Sequence, residues 1–219
     1  MDFVSDSFPP IVHRTHFRKV YQLEHLIDPI NQIKYRVEQI EHISHQFDFI
    51  PETNFEWVDD RLIYHQHRVK KKVLSSNPNK IKHLKQLADD LDQLSSTGFV
   101  HGDINRKNII FDGQRIYLID LEPSLHRMKH GRPVLLYTPP YISLNDLKNN
   151  QLSQDTDKIG FYFLVQKTLD QDFRLPNIMD LIRRRVMEKI ELLRVKESEL
   201  TKWSYDHIFN YLADTNRRL

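Results

Sequence analysis

The chain has 219 residues, 39% hydrophobic and 28% charged, with a formal net charge of only +2. That suits an ordinary folded chain of one or two domains and lacks the basic field expected of a nucleic-acid binder. Cysteine is absent, which excludes disulfides, thiolate catalysis and cysteine-ligated zinc, and no run approaches the roughly 20 apolar residues of a membrane span.

The first residues, Met1 to Asp6, show no basic region followed by an apolar run, so no signal peptide is read and a cytoplasmic location is expected. Residues 11–21 are β-branched and aromatic, which predicts a strand or strand pair. From Pro29 to Ser44 the residues Ile30, Ile33, Val37, Ile40 and Ile43 recur at helical steps. Phe55–Val58 and Arg61–Tyr64 flank Asp59-Asp60, the pattern of a hairpin with a tight polar turn. The polar, basic stretch 68–80 reads as a connector, with Lys70-Lys71-Lys72 as a solvated run. A second amphipathic helix covers Ile81 to Ser96, with Leu84, Leu87, Leu91 and Leu94 on one face.

The pattern then changes. Phe99-Val100 leads into a polar loop, the run Asn108–Phe111, a turn at Asp112-Gly113 and the run Ile116–Ile119. Beyond Asp157 the chain reads as helical over 157–170, 176–194 and 198–216, with Pro176 as a helix-start proline. A mixed first part before a mainly helical second predicts an α+β, two-lobed architecture. The expected division is a reduced first lobe at 1–72 and a larger second lobe at 73–219.

Only five glycines occur and none precedes Gly98, so no glycine-rich phosphate loop lies in the first part. The chemistry-bearing run is His101-Gly102-Asp103-Ile104-Asn105-Arg106-Lys107-Asn108, with Asp120 twelve residues further on. Phosphoryl transfer needs metal ions on the phosphates and a carboxylate to orient the attacking hydroxyl. Magnesium takes hard oxygen ligands, often one or two carboxylates besides the phosphates. Asp103, Asn108 and Asp120 offer those groups, and the intervening turn brings Asn108 and Asp120 back toward one another. A His-x-Asp on its own is as readily a turn with a capping aspartate; the apolar run, turn and second aspartate take this pattern beyond that.

The segment HGDINRKNIIFDGQRIYLIDLEPS (101–124) resembles the catalytic loop and metal-binding strand of the protein-kinase-like superfamily. That superfamily includes eukaryotic-type kinases, small atypical kinases, and aminoglycoside and sugar kinases. The resemblance implies that Asp103 is the catalytic base, Asn108 a metal ligand and Asp120 the metal-binding aspartate, with His101 bracing the loop. Leu121 and Glu122 stand where the family has Phe and Gly. Tyr137–Leu147 is similar to the end of a protein-kinase activation segment, with Asn145 in place of its glutamate. Asp157 matches an aspartate expected to cap its helix and brace the catalytic loop. Upstream, the family's phosphate-holding lysine and its helix glutamate fall on Lys19 and Glu38, with Glu41 the nearest competitor one turn on.

The implied function is transfer of the ATP γ-phosphate, with Mg2+, to a hydroxyl. A protein serine or threonine is the expected acceptor, and Thr138 points that way. A small molecule, sugar or lipopolysaccharide is the alternative, because Asn105 stands where protein serine/threonine kinases carry a lysine. Lys107 is the candidate for the missing positive charge. A pseudokinase acting as a partner-binding module is a second alternative. Only eighteen residues precede Lys19, so His13, Arg14 and His16, or a partner chain completing the short lobe, are candidates to cover the nucleotide. The basic clusters at 68–72, 106–107, 183–185 and 217–218 are scattered, and no nucleic-acid partner is expected.

Overall fold

A computed structural model describes residues 11–12, 16–129, 132–135, 141–170 and 195–217. It is an α+β protein, and the chain divides into two compact units, each built from two segments. One comprises 1–70 with 117–136, the other 71–116 with 137–219. The order of elements alone assigns 117–136 to the helical part. The structure places it in the first unit, where Leu118 donates its backbone N–H to the carbonyl of Phe49 at 2.8 Å.

The first unit carries a four-stranded antiparallel sheet of order β1-β2-β4-β3. Its strands are β1 (Ile11–Val12), β2 (His16–Gln22), β3 (Thr53–Val58) and β4 (Arg61–His67). The hairpin expected around Asp59-Asp60 is present, with Val58 opposite Arg61 and Asp59 left-handed at φ 52°. Helix α1 (Ile30–Gln46) follows β2. Its residues Ile33, Val37, Ile40 and Ile43 are buried, the stripe their spacing predicts, whereas Ile30 at the first turn is 51% exposed. Ile33 and Val37 pack with Tyr21, Leu62 and Tyr64 of β2 and β4 in one core cluster. Lys19 pairs with Tyr64 across β2 and β4, which sets it on a central strand. The hairpin β7 (His126–Lys129) and β8 (Arg132–Leu135) also belongs to this unit.

The second unit is mainly helical. The connector is not wholly loop, because Lys72 donates its backbone N–H to Phe111 at 2.6 Å. Helix α2 (Lys80–Ser96) buries Leu84, Leu87, Leu91 and Leu94 as its spacing predicts. Gly98 closes it at φ 79°, the left-handed position that glycine takes cheaply. The catalytic-loop segment follows and runs into β5 (Ile109–Phe111), then the turn, then β6 (Ile116–Leu118). Asp112 makes that turn, its Oδ1 accepting from the N–H groups of Gln114 and Arg115.

Helix α3 (Leu144–Asn149) precedes α4 (Gln154–Leu169), with α5 (Glu197–Leu200) and α6 (Tyr205–Arg217) after them. Helix α4 is buried on all sides, with Ile159, Phe161, Tyr162, Phe163 and Val165 at zero exposure. It begins three residues before Asp157, and its cap is Ser153, whose side chain accepts from Asp155 N–H. The expectation that Asp157 caps this helix is therefore corrected. Asn145, on α3, is exposed, and the buried acid is its neighbour Asp146. Asp146 takes hydrogen bonds from Ser153 N–H, Ser153 Oγ and Thr156 Oγ1 at 2.6–2.9 Å. Residues 137–140, the predicted helix 176–194, His13, Arg14 and the cluster 183–185 lie outside the described residues.

Candidate active site

In the second unit the loop between α2 and β5 is held from below by Asp157. Its two carboxylate oxygens accept the backbone N–H groups of His101 and Gly102, each at 2.7 Å. Asp157 is 3% exposed, so ionising it there depends on such donors. Gly102 takes φ 85°, which an L side chain resists, and this explains His-Gly-Asp rather than another middle residue. Gly160 of α4 lets the loop descend: a Cβ there would lie 2.4 Å from the carbonyl oxygen of Ile104. His101 is buried, and its Nδ1 accepts the N–H of Asp103 at 3.2 Å. This is the bracing role expected of it.

Asp103 and Asn108 are brought together. The amide Nδ2 of Asn108 donates to Asp103 Oδ2 at 2.8 Å and to the Asp103 carbonyl at 2.9 Å. With Nδ2 so engaged, Asn108 turns its acceptor Oδ1 away from Asp103. Asp103 Oδ1 is buried and meets no donor among the described residues. A buried carboxylate oxygen left so is costly and calls for an explanation. Asn105 is 4% exposed and committed to the loop itself, donating to the Asp103 carbonyl and accepting from Lys107 N–H. Lys107 is exposed, as is Arg106. Tyr141 lies near enough to Asp103 to respond to it: burial first, then the Asp103 charge, raises its phenol above the ordinary value.

In the first unit the candidate site residues are Lys19 and Asp120, joined by Glu122, which the sequence marks only as a departure from the family's glycine. Lys19 Nζ ion-pairs with Asp120 and donates to Glu122 Oε1 at 2.9 Å. Tyr21 Oη donates to Glu122 Oε2 at 2.8 Å, and Arg36 Nε donates to the Glu122 carbonyl at 3.2 Å. Burial pushes the Glu122 carboxyl above its ordinary range, against Lys19, which pulls it down. Burial, then Glu122, raises the Tyr21 phenol well above its ordinary value. Asp120 stands at φ 66°, an unusual backbone state for a non-glycine residue and one concentrated at functional sites.

Lys19 does not meet Glu38. That residue is exposed on α1, and its competitor Glu41 caps the edge strand, its Oε1 accepting Phe55 N–H at 2.8 Å. The expected lysine–helix glutamate pair is thus replaced by Lys19–Glu122. The signal that would have marked Glu122 is its place as an acid two residues after Asp120, where the family has glycine.

Residues 44–126 match the model of a family described as the phosphotransferase enzyme family, APH. The matched segment is similar to that family, which belongs to the protein-kinase-like superfamily. The match spans the β3–β4 hairpin, α2, the catalytic loop and Asp120, and it stops short of Lys19 and of α4. No curated protein matches the chain. The matched segment includes Asp103, Asn108 and Asp120, the residues to which the resemblance assigns phosphoryl transfer. No set of three or more His, Cys, Asp or Glu side chains that would hold a metal occurs among the described residues. Magnesium asks for fewer, one or two protein oxygens beside substrate phosphates, and the oxygens of Asn108 and Asp120 suit it chemically. No helix among the described residues is long and apolar enough to cross a membrane.

Proposed function

We propose that this protein is an ATP-dependent phosphotransferase whose acceptor is the hydroxyl of a small molecule. The observation that carries the proposal is the paired geometry of Asp103 and Asn108. One oxygen of Asp103 is fixed by Asn108 Nδ2, while the other, Oδ1, is buried without a donor among the described residues. An acceptor hydroxyl supplies the missing donor. Asp103 then orients that hydroxyl for attack on the γ-phosphorus and takes its proton as the new O–P bond forms and ADP leaves.

Lys19 aligns the nucleotide phosphates, and Lys107 is available to offset charge on the transferred group. Asn108 and Asp120 would hold Mg2+, which would supply positive charge to the phosphate oxygens.

The choice of acceptor follows two observations. The matching family favours a small-molecule phosphotransferase over the protein serine or threonine that Thr138 suggested. Asn105, where protein serine/threonine kinases carry a lysine, spends its side chain on the loop backbone. It is a positioning residue there and brings no charge to the phosphate.

The test is γ-phosphate transfer from labelled ATP to a panel of sugars, aminoglycosides and a generic serine/threonine peptide. Asp103→Ala should lower transfer to the preferred acceptor by about 10²–10⁴-fold, the span of general-base contributions. Unchanged turnover in that variant would remove Asp103 from the mechanism, and phosphorylation of the peptide alone would return the acceptor to protein.

A further inference from the structure

We infer that Glu122 is the counter-ion that keeps Lys19 aligned for the nucleotide phosphates, the part that the family resemblance assigns to Glu38. This deepens the proposed function and rests on it. Lys19 has two acidic partners, Asp120 and Glu122. If Asp120 held a metal ion, its carboxylate would be shared between that ion and the ammonium, which would leave Glu122 as the partner wholly available to Lys19.

Glu122 is built for that service. Each carboxylate oxygen has its own donor, Lys19 on Oε1 and Tyr21 on Oε2. Lys19 and Tyr21 are two residues apart on β2, and side chains at that spacing leave a strand on the same face. One carboxylate can therefore receive both. Tyr21 is 8% exposed and belongs to the core cluster with Leu62 and Tyr64, so its hydroxyl is a fixed reference for the carboxylate.

Helix α1 contributes as well, through Arg36 rather than Glu38. Arg36 Nε holds the backbone carbonyl of Glu122. Glu38 lies two residues further along, about 200° round a helix of 3.6 residues per turn. With Arg36 turned to Glu122, Glu38 is turned to solvent, where it is found. In this chain the acid that meets Lys19 thus lies on the segment after Asp120 rather than on α1. Where the family has glycine, the chain spends a side chain on holding its lysine.

The experiment has two arms. The first needs no nucleotide. Lys19→Met, Glu122→Gln and the double variant form one thermodynamic cycle; Lys19→Met, Glu38→Gln and their double form another. The unfolding midpoints should be non-additive by about 2–4 °C in the Glu122 cycle and additive in the Glu38 cycle. The second arm titrates Mg-ATP and adenosine into wild type and Glu122→Gln. Mg-ATP should bind about three- to tenfold more weakly in the variant while adenosine is unaffected, since only the phosphates depend on Lys19. Equal losses for both ligands would make Glu122 merely structural and overturn the inference. Additive Glu122 effects, or coupling with Glu38 instead, would overturn it whatever nucleotide does. Wild-type protein that binds no nucleotide, yet shows the Lys19–Glu122 coupling, would sink the proposed phosphotransferase function and with it the alignment role, leaving only the ion pair itself.

Discussion

Lys19 shows how competing effects decide one side chain. Burial alone would push its ammonium below the ordinary value; Glu122 and Asp120 outweigh that and hold it above. A cation raised in the folded state contributes stability that is complete below its unfolded value, about 10.4 for lysine. That stability is lost as pH rises through the folded value. Removing the cation should therefore remove an alkaline loss. Urea unfolding from neutral to strongly alkaline pH should fall less steeply above about pH 10 in Lys19→Met than in wild type. Parallel curves would show that the ion pair makes no contribution to folding. Burial raises the Glu122 carboxyl, and Lys19 opposes that rise.

At this scale the legible residues were those whose chemistry is local in sequence. Asp103 and Asn108 are five positions apart on one loop, and the structure joins them by a direct hydrogen bond. The partner of Lys19 was not legible, because Glu122 lies 103 positions away and the family resemblance pointed to Glu38. Asn145 drew attention by replacing a family glutamate, while the buried acid was the next residue, Asp146. No periodicity marks which of two adjacent polar residues on a short helix turns inward.

Among the elements, α4 and the catalytic loop are coupled through two different uses of one helix. Asp157 binds the loop backbone and Gly160 makes room for it. A methyl group at Gly160 meets the Ile104 carbonyl oxygen at 2.4 Å, and backbone cannot yield as a flexible side chain does. Gly98 differs: a Cβ there touches nothing within 4 Å, and its φ of +79° is the whole objection. Gly98→Ala should then cost about 1–2 kcal/mol, the left-handed penalty for one residue. Gly160→Ala should cost about 1–3 kcal/mol by overpacking and also slow phosphoryl transfer, since the displaced backbone leads from Asp103. Chemical denaturation and turnover of the two variants decide this. A Gly160→Ala protein with wild-type turnover would break the proposed coupling.

Helices α1 and α2 were readable because each has one buried face, and Ile33, Val37, Leu84 and Leu91 mark it. Helix α4 was found but its start was misplaced. A helix buried on all sides has no polar face to phase it, and the serine cap at Ser153 was overlooked in favour of Asp157.

For the molecule as a whole, the α+β class was legible from the order of strands and helices. The boundary near 70 follows from the basic connector. The return of 117–136 to the first unit depends on contacts that no local pattern encodes, namely those of Phe49, Lys19, Tyr21 and Arg36 with residues 118–122. Asp103 and Asn108 belong to one unit, and Lys19, Asp120 and Glu122 belong to the other. A family model spanning 44–126 includes parts of both.

The measurement that bears most directly on the proposed function is calorimetric titration of ATP, with and without magnesium, into wild-type protein and Asp120→Ala. Binding that requires magnesium and is lost in the variant, by about tenfold or more as expected for removal of a direct metal ligand, is the predicted result. Magnesium-independent binding that is unchanged in Asp120→Ala, or no binding under any condition, would contradict it and leave a kinase-like fold without kinase chemistry.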